Sequence, residues 1–326
     1  MLGDHRHILV PLDGSALAEC VLPHAVAVSR AFAAPITLLR VLEREQDCGE
    51  DLAADPLSWQ IHRAEAEAYL IDVAARLRAL DLDVVIRIAE GLPAEQIIDF
   101  VDRSRAGEHV IGMIVLSSHG SSGLSEWNIS GVVQKVILRA YVPVLIVRAY
   151  QPPASGLDDL RYRSLMMPLD GSQRAECVLP LALTIAQHHG AQILATHVVA
   201  RPEVPRRVPL TVDERELIER LVALNREEAA RYLEALSGRL PCPVETRLLV
   251  DDSPAAALQR LSTEAPVDLV LLSAHGYSGS AQWPYGSVAL NFIAYGTTPL
   301  LMVQDLAELD ARRSEAGVAA GESKGH

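Results

Sequence analysis

The chain has few aromatic residues and few cysteines. Phe, Trp and Tyr make up 4% of its 326 residues, whereas apolar residues reach 49%. This balance predicts cores of Ala, Val, Leu and Ile, as in helices packed on a parallel sheet. The 4 cysteines lie far apart in the sequence and form no C-x-x-C pair, so neither a zinc site nor a disulfide framework is indicated.

A basic surface and a long apolar run are also lacking. Lys and Arg number 29 against 42 Asp and Glu, for a formal net charge of -13. That balance argues against nucleic-acid binding, which needs a basic face. No apolar run approaches the length of a membrane helix, and no signal-peptide pattern precedes the first strand-like segment. We therefore expect a cytoplasmic protein whose partners are small molecules or other proteins, with no nucleic-acid or membrane partner.

The chain does contain a long internal repeat. PLDGS and AECVLP occur twice at an offset of 157, and the loop SSHGSSGLSEWNISG returns as SAHGYSGSAQWPYGS at an offset of 156. The repeat predicts two domains, at 1–150 and 161–305, joined by a linker at 151–160 and followed by a polar tail at 306–326. Each copy reads β-α-β-α-β-α-β-α-β. This order predicts the α/β class, with two tandem, Rossmann-like, doubly wound domains of five parallel strands and helices on both faces.

A glycine-punctuated loop joins a strand to a helix in each copy. Converging backbone N–H groups at such a helix start suit an anion, most plausibly a phosphate. In the second copy, Gly286 is expected to allow close backbone approach and Ser287 to cap the helix. Asp13 and Asp170 follow the first strands, at the edge where doubly wound sheets bind ligands, so each carboxylate could accept a hydrogen bond from ribose or adenine. The alternative is that each D-G-S segment is only a turn.

These motifs together resemble the universal stress protein family. The resemblance rests on VPLDGS at Val10–Ser15, MPLDGS at Met167–Ser172, GLPAEQI at Gly91–Ile97, PVLIV at Pro143–Val147 and PLLMV at Pro299–Val303. It implies an adenine nucleotide alpha hydrolase-like fold and a stress-response role. Some members of the family bind ATP and others do not. The resemblance therefore implies ATP, or AMP or ADP, as the candidate ligand, with Mg2+.

By this resemblance, the Asp and a strand-end Val hold the nucleoside, and the loop holds the phosphates. The implied contacts of the second copy are Pro168, Asp170, Val198, Ser273, His275, Gly276, Gly286 and Ser287. Those of the first copy are Asp13, Val41, Gly120, Ser130 and Gly131. The pair Ser130-Gly131 inverts Gly286-Ser287, and Ser117 and Ser273 replace the family's first loop glycine. We therefore expect ATP to bind mainly in the second copy, at least tenfold more tightly, a gap of about 1.4 kcal/mol.

The loop histidines, His119 and His275, invite a catalytic interpretation, but ordering of the loop is favoured because no second base or nucleophile is paired with them. Trp127 and Trp283 are expected to pack the loops on the sheet, and the matched Cys20 and Cys177 to be buried small hydrophobes.

We therefore interpret the chain as a binding or signalling module with no nominated catalytic residue or metal ligand. The alternatives are a nucleotide-free scaffold for protein contacts and a slow ATP hydrolase. The last strands, Val142–Arg148 and Thr298–Gln304, are apolar edges, and by resemblance they pair the copies as an intramolecular pseudo-dimer. A homodimer and contacts with other proteins are further options.

Overall fold

The computed structural model describes residues 6–43, 56–120, 129–149, 156–202, 211–277 and 285–305. The chain divides into two compact units, Met1–Arg161 and Tyr162–His326. Each unit alternates strands and helices in the predicted order. The α/β class expected from the sequence is therefore confirmed.

The first unit contains a five-stranded parallel sheet. Its strands are β1 (Arg6–Pro11), β2 (Ile36–Leu42), β3 (Val84–Glu90), β4 (Val110–Ser117) and β5 (Val144–Val147). Its helices are α1 (Leu22–Phe32), α2 (Pro56–Arg78), α3 (Pro93–Ser104) and α4 (Gly131–Arg139). The strand order is β3-β2-β1-β4-β5, and each neighbouring pair is parallel.

The second unit repeats this arrangement. Its strands are β6 (Ser164–Pro168), β7 (Gln192–Ala200), β8 (Val244–Asp251), β9 (Leu269–Ser273) and β10 (Leu300–Val303). Its helices are α5 (Leu179–His189), α6 (Val212–Arg239), α7 (Pro254–Glu264) and α8 (Ser287–Tyr295). The strand order is β8-β7-β6-β9-β10, again with parallel neighbours.

Helices cover both faces of each sheet, so the central strands are buried. Ile8, Leu9 and Val10 in β1 and Leu165 and Met166 in β6 are all 0% exposed. Burying one such aliphatic side chain contributes about 1.5–3 kcal/mol. Short aliphatic strands of this kind bury their apolar surface without large aromatic residues, as the composition predicted.

The strand order places a crevice in each unit. It reverses between β1 and β4 in the first unit and between β6 and β9 in the second. Right-handed crossovers then place α1 and α2 on one face of the first sheet and α3 and α4 on the other. The carboxyl ends of the central strands therefore lie between two layers of helices, where doubly wound proteins bind ligands.

Candidate functional site

The predicted aspartates and loop glycines lie at these strand ends. In the first unit, Asp13 follows β1 and Gly120 follows β4; in the second, Asp170 follows β6 and Gly276 follows β9. Both members of each pair line one cavity. Segments separated by about a hundred residues of sequence thus meet at a single crevice in each unit.

Each aspartate also builds the turn that follows its strand. One oxygen of Asp13 accepts hydrogen bonds from the Ser15 amide at 2.9 Å and the Ser15 hydroxyl at 2.6 Å. Asp170 repeats this with Ser172 at 3.0 and 2.6 Å. Gly14, between Asp13 and Ser15, has a left-handed backbone conformation with φ +80°, which favours glycine. In each aspartate, one carboxylate oxygen therefore stabilises the turn, and the other faces the glycine loop.

The loop glycines are required by that close approach. A Cβ built on Gly120 would overlap Oδ2 of Asp13, and one built on Gly276 would overlap Oδ2 of Asp170. In the second unit the same oxygen accepts a hydrogen bond from the amide of Tyr277. The aspartate therefore lies directly against the loop in both units, and a side chain at either glycine would displace it.

Helix α8 begins one residue earlier than the sequence analysis assumed. Ser287 was expected to cap α8, but it is the first helical residue; Gly286 is the N-cap and makes no side-chain cap bond. In α4 the N-cap is Ser130, whose hydroxyl accepts a hydrogen bond from the Val133 amide at 3.4 Å. The capping expectation for Ser287 is therefore wrong, because a cap must precede the first helical residue.

Ser130 fits its position without crowding. Its φ and ψ are -71° and 159°, against -73° and 164° at Gly286. A Cβ built on Gly286 would lie no closer than 3.6 Å to its nearest neighbour, the carbonyl oxygen of Ala274. The inverted pair Ser130-Gly131 therefore preserves the backbone angles at this position, and the surrounding protein leaves room for the Cβ of a serine there.

The remaining predicted residues lie along the strand ends. Pro168 ends β6, Val41 is the penultimate residue of β2, and Val198 lies two residues before the end of β7. The hydroxyls of Ser117 and Ser273 donate to the carbonyl oxygens of the histidines two residues later, each at 2.6 Å. These serines, which replace a family glycine, tie the strand end to the loop.

His275 belongs to a buried charged cluster. Its Nδ1 lies 2.8 Å from Oδ1 of Asp305, and Nε of Arg174 donates to Oδ2 at 2.7 Å. The side chain of Asp305 is 0% exposed. Burial alone would raise the pKa of Asp305, but the hydrogen bond from His275 and the charges of His275 and Arg174 lower it. Sequence reasoning missed Asp305, whose one signal is an acidic residue directly after the last strand.

His119 is held differently in the first unit. Its Nδ1 lies 3.1 Å from the hydroxyl of Ser118, which accepts a hydrogen bond from the Ala149 amide at 3.0 Å. Ala149 stands at the position equivalent to Asp305, at the offset of 156. His119 and His275 are 3% and 2% exposed. Both geometries fit the loop-ordering interpretation.

The two crevices differ in size. The first holds a cavity of about 710 Å³, whose lining includes Asp13, Val41, Gly120 and Ser130. The second holds about 120 Å³; among its lining residues are Pro168, Asp170, Val198, Ser273, His275, Gly276, Gly286 and Ser287. Small-molecule sites commonly span about 300–1,000 Å³, a range that includes the volume of the first cavity.

Helix α2 supplies a wall of the first cavity that the sequence analysis did not identify. Trp59, His62 and Tyr69 line it, together with Arg40 of β2. The residues of α2 fall outside the repeated motifs, and Tyr69-Leu70 matches Tyr232-Leu233 only at an offset of 163. The helices of the two copies must therefore be aligned separately before this wall can be found.

Cys20 is buried, as expected, whereas Cys177 is only half-buried, so the burial expected of Cys177 is wrong. Cys20 is 8% exposed, and burial raises the pKa of its thiol. Burial raises the pKa of the half-buried Cys177 to about 12. A reactive cysteine needs a lowered pKa, so neither has the character of a redox sensor. The predicted roles of Trp127 and Trp283 lie outside the described residues.

The ranges that the structure describes contain neither a membrane-spanning helix nor a cluster of metal-binding side chains. None of their helices is both long enough and apolar enough to cross a membrane. The same ranges contain no cluster of three or more His, Cys, Asp or Glu side chains that could hold a metal ion.

A doubly wound sheet with an aspartate, a glycine loop and a helix start at its switch point defines a class of α/β ligand-binding proteins. Comparison with known protein families identifies the family within this class. The model of the Universal stress protein family matches residues 5–148 and 161–304. The chain belongs to the universal stress protein family, with one match in each unit.

Individual proteins similar to this chain belong to the same family. A universal stress protein of Mycobacterium tuberculosis is 22% identical over 303 residues, which is 91% of this chain and 96% of that protein. One from Methanocaldococcus jannaschii is 26% identical over 148 residues, 44% of this chain and 82% of that protein.

Solved structures share the fold. A universal stress protein of Archaeoglobus fulgidus has a TM-score of 0.64 at 17% identity, covering 93% of this chain and 100% of that one. A functionally unknown protein of Pseudomonas aeruginosa has a TM-score of 0.66 at 16% identity, covering 97% and 98%.

Proposed function

We propose that this stress protein binds an adenine nucleotide, ATP, ADP or AMP, at the crevice of each unit, and acts as a binding or signalling module. The observation that supports the proposal is the convergence of the carboxylate, the glycine loop and the helix start at each crevice. The aspartate oxygen that faces the loop can accept a hydrogen bond from a ribose hydroxyl. The partial positive charge and free N–H groups of the helix N-terminus favour binding of a phosphate. The two features are complementary to the two ends of a nucleotide.

We further propose that the first unit is the tighter site at neutral pH. The sequence analysis expected the second, because the pair Ser130-Gly131 inverts Gly286-Ser287. Of that expectation, the cap at Ser287 is wrong, and Ser130 caps the helix of the first unit. The larger cavity favours the first unit, because the smaller one must open before a nucleotide can enter and that opening weakens binding.

Mg2+ is proposed to arrive on the nucleotide. Mg2+ keeps several waters and is usually held by one or two carboxylates plus substrate phosphates. The described residues offer no three-ligand cluster, so phosphates would supply most of the non-water ligands. Asp13 and Asp170 are carboxylates that lie against the loop glycines.

Two measurements on the purified protein distinguish nucleotide binding from a nucleotide-free scaffold. Purified protein is denatured with acid, and the supernatant is characterised by its ultraviolet spectrum and mass; stripped protein is then titrated with ATP by calorimetry. Released adenine nucleotide, or saturable heat, supports the proposal. An empty supernatant together with no heat at millimolar ATP contradicts it and favours the scaffold alternative. Release of inorganic phosphate in the same samples tests slow hydrolysis.

Pairing of the units through β5 and β10 stays a proposal. It predicts that each half, expressed alone, self-associates, because its last strand would otherwise be an open apolar edge. Sizing chromatography of the two halves tests it, and strictly monomeric halves would contradict it.

A further inference from the structure

Helix α2 presents an aromatic wall, formed by Trp59, His62 and Tyr69, to the first cavity. All three side chains line that cavity, together with Ala66. The four residues recur every three or four positions, the spacing of one helix face. Trp59 and Tyr69 are half-buried, whereas the residues on either side of Trp59 are exposed. The indole of Trp59 is therefore directed to the cavity and not to the outer face of the helix.

Contacts at both ends of α2 hold the aromatic wall at the carboxyl ends of the strands. Near the end of the helix, Arg78 donates to the carbonyl oxygen of Val84, the first residue of β3, at 2.7 Å. Near its start, Arg63 pairs with Glu90, the last residue of β3, at 3.6 Å. The helix therefore runs antiparallel to β3. Trp59 lies one turn before Arg63, so it is placed at the strand ends, where the first crevice lies.

An ion pair common to both units aligns α6 with α2. Arg76 of α2 pairs with Glu19 at 2.9 Å. Arg239 of α6 pairs with Glu176, the residue equivalent to Glu19, at 2.9 Å. The two arginines are 163 residues apart, which is also the offset between the matched tyrosines of these helices. The two helices can therefore be compared residue by residue at that offset.

The comparison shows that the second unit has no counterpart of Trp59. Val222 stands in its place, and Asn225 stands in place of His62. Val222 lines a different cavity, on the far side of α6 from the crevice of Asp170. Among the described residues, those that line the second cavity come from elements other than α6. The aromatic wall therefore distinguishes the first cavity from the second.

The two sides of the first crevice suit the two ends of a nucleotide. The glycine loop and the start of α4 follow β4, and N–H groups at a helix start favour phosphate. Helix α2 packs against β2 and β3, which lie on the other side of β1 from β4. A nucleotide with its phosphates at the loop therefore extends its base toward the aromatic wall. An indole offers a flat face on which a base can stack.

We propose that Trp59 recognises the base of the bound nucleotide by stacking on it, and that this contact gives the first site a preference for purine nucleotides. The inference rests on the proposed function. A purine presents two fused rings to the indole and a pyrimidine presents one, so the purine buries more apolar surface in the contact. The second site, which α6 does not line within the described ranges, should discriminate less between bases.

The test uses the full chain carrying Asp170→Ala, which weakens the second site and leaves the first for measurement. ATP, CTP and inorganic tripolyphosphate are titrated by calorimetry into this protein and into the same protein with Trp59→Val. Valine is the residue at the equivalent position of the second unit. Loss of the indole should weaken ATP binding roughly tenfold, as for loss of one stacked aromatic side chain. It should weaken CTP binding less, and it should leave the affinity for tripolyphosphate unchanged because that ligand has no base.

Two variants of α2 supply the matched controls. Gln60→Val places the same side chain at an exposed neighbouring position and should leave all three affinities unchanged. Trp59→Phe keeps a ring for stacking and should retain most of the preference for ATP over CTP. Stacking on a purine quenches indole fluorescence, so part of the quenching by ATP should be lost in Trp59→Phe while ATP still binds. Thermal melting identifies any variant that fails to fold, and the fluorescence comparison remains a test if valine is not tolerated.

The outcomes separate this inference from the function beneath it. If ATP binds neither to the wild-type chain nor to the variants, both are overturned. If ATP binds but Trp59→Val leaves its affinity unchanged, or lowers the affinities for ATP and tripolyphosphate equally, the role of Trp59 is overturned and nucleotide binding stands. Equal losses for ATP and CTP overturn the purine preference. A loss that is largest for ATP and absent for tripolyphosphate supports the inference.

Discussion

Replacing the aspartate of each crevice by asparagine tests the nucleotide site most directly. In the first unit, one oxygen of Asp13 holds Ser15 and the other faces Gly120. Asparagine retains an oxygen for the Ser15 amide, so the turn should survive. It removes the charge and presents an NH2 group where the second oxygen stood. Asp13→Asn therefore alters the ligand-facing side of the residue more than its structural side.

The magnitude follows from the hydrogen bond that is changed. A hydrogen bond to a charged group contributes about 1.5–3 kcal/mol and a neutral one about 0.5–1.5 kcal/mol. Exchanging one for the other weakens binding by about 1–1.5 kcal/mol, or roughly fivefold to tenfold. The same exchange at Asp170 acts on the second site. If the first site is the tighter one at neutral pH, Asp13→Asn shifts the tighter of the two dissociation constants and Asp170→Asn shifts the weaker.

Calorimetric titration of both variants with ATP gives the two constants, and thermal melting shows whether the turn is intact. Two results would refute the reasoning. If neither variant changes an affinity, the carboxylates are turn residues and nothing more. If Asp170→Asn abolishes the tight site while Asp13→Asn leaves it unchanged, the second site is the tighter one. Cavity volume then does not determine which site binds more tightly.

Three further perturbations test the framework of the site. Gly120→Ala should displace the adjacent carboxylate, abolish binding at the first site and lower the melting temperature, whereas Gly238→Ala in α6, where a Cβ meets nothing within 4 Å, should do neither. Ser130→Ala should lower the free energy of unfolding in urea by about 1 kcal/mol through loss of a cap, and Gly286→Ser should raise it. Asp305→Asn should destabilise the second unit by about 3 kcal/mol at neutral pH. Because the folded pKa of Asp305 is lowered, its contribution is full above its unfolded pKa and is lost as pH falls through the folded value, so urea midpoints of wild type and variant should converge in acid.

The fold was predictable because its signals are local and repeated. Most strands are short aliphatic runs, and Pro93 and Pro254 mark helix starts in the sequence that the structure confirms. Strict alternation then leaves few topologies, since crossovers between parallel strands are right-handed. The duplicated motifs predicted the same order of strands and helices in both halves of the chain.

The site was less predictable because its contacts join distant segments. Nothing near Asp305 in sequence points to His275, which it meets only after β10 pairs with β9. The N-cap of α8 was misplaced by one residue because G-S pairs fit a cap at either residue, and only backbone angles decide between them.

The two histidines bear on whether the chain is a catalyst. In the second unit, Asp305 orients Nδ1 of His275, an arrangement that many general bases share. A general base must also reach its substrate, yet the side chain of His275 is 1% exposed and its cavity is about 120 Å³. The first unit has the space for a nucleotide but no carboxylate at the equivalent position, where Ala149 stands and Ser118 contacts His119 instead. Because the carboxylate and the larger cavity occur in different units, the geometry supports the interpretation that these histidines brace the loop.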